Sequence, residues 1–119
     1  MIITKTPLRV SFFGGGSDIP QFYNNNRGLV ISTTIDRPIY IAVNGTRTAH
    51  TKVVYSEIEI VNHSSLLKHD RVREILLYYG IENHIEIASF SDIPTKGTGL
   101  GSSSTFTVGL LKAILEMSK

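Results

Sequence analysis

The segment Pro94-Thr95-Lys96-Gly97-Thr98-Gly99-Leu100-Gly101-Ser102-Ser103-Ser104 holds the residue types that bind phosphate, and it lies between a strand pattern and a helix pattern. The first turn of a helix has backbone N–H groups with no intrahelical partner, and the helix dipole adds partial positive charge there. An anion is stabilised at such an end. Glycines let the backbone come close to it and adopt positive φ. Serine hydroxyls donate to phosphate oxygens or coordinate a hard Mg²⁺ ion. The Walker A pattern fails, because no lysine follows Gly101. Gly97, Gly99 and Gly101 give Gly-x-Gly-x-Gly, one residue tighter than the dinucleotide fingerprint. The competing reading is a plain loop in which Ser102, Ser103 and Ser104 only cap a helix. Three alternating glycines followed by three serines favour the anion site.

A second glycine cluster comes earlier. Arg9 precedes Gly14-Gly15-Gly16-Ser17-Asp18. Three glycines let a loop pass close to a ligand. Asp18 is suited to accept hydrogen bonds from sugar hydroxyls, and Arg9 to meet a phosphate with two donors. Spacing alone slightly favours a plainer role: a turn, with Asp18 capping a short helix at 19–23. The remaining polar residues read as structural. His50, His63, His69 and His84 share no metal-like spacing. Glu57, Glu59 and Glu86 alternate with apolar residues and are expected to face solvent. Asp70, Arg71, Arg73 and Glu74 read as the wet face of a helix, Asp36-Arg37 as a turn, and Tyr78 and Tyr79 as packing. No Gly-x-Ser-x-Gly elbow marks a hydrolase.

These loops need elements to position them. Residues 2–13 read as two short strands kinked at Pro7. Strands are expected at 29–35 and 39–43, then a turn at Asn44-Gly45 and one half-exposed strand over 53–61. A helix capped by Ser64 or Ser65 follows, with Val72, Ile75, Leu76 and Tyr79 inward and Gly80 at its end. A strand at 84–88 leads to the glycine loop. The last helix carries Phe106, Leu110, Ile114 and Met117 on one face, with Lys112 and Glu116 spaced i, i+4 on another. The order predicts an α+β domain: a mixed, largely antiparallel sheet backed by helices.

Composition removes several function classes. The chain has 119 residues, enough for one core, and 41% are hydrophobic. Lys plus Arg number 12 and Asp plus Glu 10, for a formal charge of +2, too weak and too scattered to argue for nucleic acid. With no cysteine there is neither a disulfide nor a thiolate metal site. No apolar stretch nears the ~20 residues of a membrane span, and the first residues lack a signal-peptide core, so a cytoplasmic location is the default. The final helix's apolar stripe lacks later elements to cover it, which suggests a piece of something longer.

The two loops together resemble the GHMP kinases, named for galactokinase, homoserine kinase, mevalonate kinase and phosphomevalonate kinase. Pro7-Leu8-Arg9-Val10-Ser11-Phe12-Phe13-Gly14-Gly15-Gly16-Ser17-Asp18 looks like their first motif. Pro94 to Ser104 looks like their second, Pro-x-x-x-Gly-Leu-Gly-Ser-Ser, with Gly99-Leu100-Gly101-Ser102-Ser103 matching position for position. The Gly-Gly-Gly-Ser-Asp form is most similar to the branch acting on heptose 7-phosphate at the anomeric carbon; fucose kinases are close to it. The resemblance implies the family's amino-terminal domain, a ribosomal protein S5 domain 2-like fold, over 1–119. It also implies ATP and Mg²⁺ as cofactors and a sugar or sugar phosphate as substrate. Lys96, Gly97, Thr98, Gly99, Leu100, Gly101, Ser102, Ser103 and Ser104 would wrap the ATP phosphates, with Ser103, or else Ser102, on Mg²⁺. Arg9, Gly14, Gly15, Gly16, Ser17 and Asp18 would shape the sugar pocket. Family members are much longer. Their acidic Mg²⁺ ligand, the catalytic aspartate of many members and a further glycine motif lie beyond the second motif, so the catalytic residues are expected past residue 119 and this chain alone is expected to be inactive. Ser104 stands where the family usually has Ala. Two other readings remain: a non-catalytic module keeping the fold, and a dinucleotide-dependent oxidoreductase. Which sugar, which hydroxyl and which oligomeric state are open at this stage.

Overall fold

The computed structural model describes residues 1–94 and 98–119. Lys96 and Gly97 of the expected phosphate loop therefore lie outside the described residues. Five strands form one sheet in the order β1-β2-β5-β3-β4. They are β1 (Ile2–Phe13), β2 (Ile31–Gly45), β3 (Thr51–Val54), β4 (Ile58–Val61) and β5 (Ile85–Ser91). The β1–β2, β2–β5 and β3–β4 pairs are antiparallel, and β3–β5 is parallel. The expected mixed, largely antiparallel sheet is present. The helices are α1 (Pro20–Tyr23), α2 (Asp70–Tyr78) and α3 (Ser102–Met117), with a 3-10 turn over Ser64–Leu66.

Alternation along the strands turns Ile39, Ile41, Val43, Val53, Ile85 and Ile87 to one face, where Val72 and Leu76 of α2 and Leu110, Ala113 and Ile114 of α3 join them in one core. The close approach of α3 depends on Gly109. A Cβ there would stand 2.8 Å from Thr6 Oγ1, and the Thr4 hydroxyl donates to its carbonyl at 3.0 Å. Small residues thus form the contact, and Met117, expected on the buried face, is exposed. Lys119, rather than Lys112, forms the ion pair with Glu116, at 2.7 Å.

Several boundaries differ from expectation. β1 continues through Pro7, which lies opposite Pro38. The register jumps from Pro7↔Pro38 to Arg9↔Thr34, so Asp36-Arg37 sits in a bulge within continuous β2, opposite the fully buried Leu8, rather than in a turn. The stretch 53–61 is a hairpin, not one strand. Within it Ile58 and Ile60 are 67% and 63% exposed, while Glu59 is only 9% exposed. The solvent-facing expectation for Glu59 is therefore reversed. Ile58 instead ends a cross-strand row, Ile3–Ala42–Ala88–Val54–Ile58, on the sheet face away from the core. α2 begins at Asp70, capped by His69 rather than by Ser64 or Ser65. Tyr78 is exposed.

Candidate functional site

The amino end of α3 is built without a side-chain cap. Its N-cap residue is Gly101, in the left-handed region at φ 69, and no side chain there accepts from the first turn. Gly99, at φ 67, makes the preceding bend. Only glycine adopts these angles without strain. Among the described bonds, those of Ser103 and Ser104 are not caps. The Ser104 hydroxyl donates back to the Gly101 carbonyl at 3.0 Å, and the exposed Ser103 gives its carbonyl to the Thr107 hydroxyl. Neither Ser103 nor Ser104 therefore acts as a simple cap through the bonds described. A helix end whose N-cap residue offers no side-chain acceptor presents its dipole to an anion.

The first strand reaches this loop. The Arg9 amide donates to the Leu100 carbonyl at 3.2 Å. A Cβ on Gly101 would stand 3.1 Å from Arg9 Nε. Residues 92 positions apart thus meet, and Arg9 stands at the α3 end. The Gly14–Asp18 loop closes on Leu29 instead. Gly14, at φ 82, has the Leu29 carbonyl oxygen 1.8 Å from where a Cβ would sit. The Ser17 hydroxyl accepts from the Leu29 amide at 3.0 Å and lies 2.8 and 2.9 Å from the Gly14 and Leu29 carbonyls, to one of which it donates. It holds the loop's shape. Asp18 is exposed and does not cap α1, whose N-cap is Ile19 without a side-chain bond.

A cleft of about 680 Å³ opens beside the α3 end. Ser102 and Ser103 form one side, the 69–71 entry to α2 another, and Tyr55, Phe90 and Phe106 supply rings. His69 lies stacked on Phe106 at 5.2 Å and edge-on to Tyr55 at 4.8 Å. The segments following parallel strands β3 and β5 both lead into this cleft. Asp70 and Arg71, read as a wet helix face, line it as well.

Residues 66–119 match the family model described as the GHMP kinases N terminal domain. The chain is 30% identical, over 97% of its length, to a D-glycero-alpha-D-manno-heptose 7-phosphate kinase of Campylobacter jejuni. The second glycine loop and α3 thus fall inside the stretch that matches the GHMP kinase amino-terminal domain. Among solved structures, a D-glycero-D-manno-heptose 1-phosphate kinase from Bacteriodes thetaiotaomicron superposes with a TM-score of 0.85 at 27% identity over 98% of this chain. The Methanococcus jannaschii mevalonate kinase, at 23% identity and a TM-score of 0.73 over 99% of this chain, shares the fold. The chain spans 37%, 42% and 40% of those three proteins, respectively.

Four residues separate Pro94 from Gly99, where the motif pattern has three, so the additional residue falls within 95–98. The family match leaves the oxidoreductase reading without support.

One site residue escaped sequence reasoning. Glu59 accepts from the Lys68 amide at 2.6 Å, the His69 amide at 3.2 Å and the Tyr55 hydroxyl at 2.9 Å. Burial works against its charge, but the donors from Lys68, Tyr55 and His69 outweigh burial and hold the carboxyl below the usual range. Burial, then the bond to Glu59, pushes the Tyr55 phenol up to about 12. Nothing local signals this, since its donors lie 4 to 10 residues away in other elements. Among the described residues, no group of three or more His, Cys, Asp or Glu side chains is placed to hold a metal ion, and no helix is long and apolar enough to cross a membrane.

Proposed function

We propose that this chain forms the amino-terminal part of an ATP-binding domain, in a kinase that phosphorylates a sugar phosphate. The uncapped α3 amino end, with Gly99 and Gly101 at positive φ and Arg9 against it, carries the reading. Those features fit a polyphosphate: a helix dipole, an N-cap glycine with no side chain in the way, and a cation beside it. The neighbouring cleft has the size of a small-ligand site, and its rings suit a nucleobase. The phosphates would lie on Thr98 to Ser104, with the Ser103 hydroxyl joining phosphate oxygens around Mg²⁺; Lys96 and Gly97 belong to the same proposed loop. ATP supplies the γ-phosphoryl group. Arg9 would stabilise charge on it, and Asp18 would orient a sugar hydroxyl in the pocket shaped by Gly14, Gly15, Gly16 and Ser17. That hydroxyl forms the new P–O bond as the bond to ADP breaks, with its proton taken by a base supplied from beyond residue 119.

The names of the relatives support a heptose phosphate as the acceptor. The test is phosphoryl transfer by the complete protein from ATP to heptose 7-phosphate, with fucose and mevalonate as competitors. We expect heptose phosphate to be preferred. No transfer from ATP to any sugar or sugar phosphate would overturn the kinase reading. In parallel, Mg-ATP and NAD are titrated by calorimetry, with ATP expected to bind selectively.

A further inference from the structure

The cleft wall facing α3 hangs on one carboxylate. Glu59 points inward from an edge strand and holds three groups at once. Two are the amides of Lys68 and His69, at the entry to α2, and the third is the Tyr55 hydroxyl. His69 stacks on Phe106, one turn into α3 from Ser102 and Ser103, and Tyr55 lies edge-on to His69. A buried carboxylate is costly unless its oxygens are satisfied, and here three donors satisfy them. Its charge also occupies the approach to the α2 amino end, so that the second helix terminus lining the cleft is already supplied with an anion from within the chain.

We infer that Glu59 is a positioning residue for the nucleotide: it sets Tyr55 and His69 as the wall at the base end and directs the polyphosphate to α3 alone. The inference rests on the ATP reading above and adds the orientation of the bound nucleotide. It separates two ligands. ATP needs the wall, whereas inorganic tripolyphosphate needs only the α3 loop.

The complete protein, wild type and Glu59→Gln, is titrated with Mg-ATP and with magnesium tripolyphosphate. We expect Glu59→Gln to bind ATP about tenfold more weakly and tripolyphosphate within about twofold of wild type. Tyr55→Phe leaves the carboxylate and both amide bonds in place, and should show the same split at about threefold. It also carries the test if Glu59→Gln fails to fold. Equal losses for both ligands would mean a merely structural role and would overturn the inference. So would unchanged ATP binding. A wild-type protein that binds neither ligand overturns the nucleotide reading, and this inference with it.

Discussion

Two helices present their amino ends to the same cleft, and the chain treats them in opposite ways. At α2, His69 Nδ1 accepts from the Val72 amide, and the Glu59 carboxylate takes the two amides just before the helix. At α3, the N-cap is a left-handed glycine with no side-chain acceptor. The termini share a dipole and a set of orphan donors. They differ in who satisfies them. Where the chain supplies its own carboxylate, the end is a structural joint. Where it supplies glycines and exposed serines, the end fits the proposed phosphate site.

That contrast breaks most visibly at Gly101. Gly101→Asp places a side chain 3.1 Å from Arg9 Nε, forces a non-glycine residue to φ 69 and puts negative charge where phosphate should sit. Left-handed strain costs about 1–3 kcal/mol, and repulsion adds to it. Calorimetry should show ATP affinity about 100-fold lower or worse, with the far-UV dichroism of the sheet and α2 retained. Normal ATP binding by this variant would end the claim that α3 is the open end.

The closed end is tested by pH. Glu59 has a depressed folded pKa, so its contribution is complete above the unfolded value, about 4.3, and is lost as pH falls through the folded value. Tyr55 is raised, so its contribution is complete below about pH 10 and fades as pH rises through about 12. In denaturant titrations across pH, Glu59→Gln should flatten the acid arm and Tyr55→Phe the alkaline arm. Unchanged arms in both variants would mean that the α2 joint does not depend on this network.

Ser104→Ala should have the smallest effect. Among the described residues its hydroxyl bonds the Gly101 carbonyl, in an exposed position, so stability should change by less than about 0.5 kcal/mol and ATP affinity by less than about twofold. A loss near the ~1 kcal/mol of a true cap, read from denaturant midpoints, would return α3 to the capped class and remove the contrast.

The open end was legible in the residues and the closed one was not. Gly99, Gly101 and the serine run are local signals, because a positive φ and an uncapped first turn are properties of a few consecutive residues. The alternation of β4 was visible too, but its direction was not. Ile58 and Ile60 look like core residues and Glu59 like surface, yet the hairpin and the donors from Tyr55, Lys68 and His69 invert them. The bulge at Asp36-Arg37 resembled a turn for a related reason: only pairing with β1 keeps β2 continuous there.

By itself the sequence determined the α+β class, the glycine–serine loop between a strand and a helix, and the apolar face of α3, because backbone angles and residue periodicity are written locally. Tertiary structure alone decided that Arg9 meets Gly101, that Gly109 lets α3 sit close on Thr4 and Thr6, and that a buried Glu59 closes the α2 end. Those contacts join residues far apart in the chain, and whether a charge can be buried depends on donors that only the folded chain brings to it.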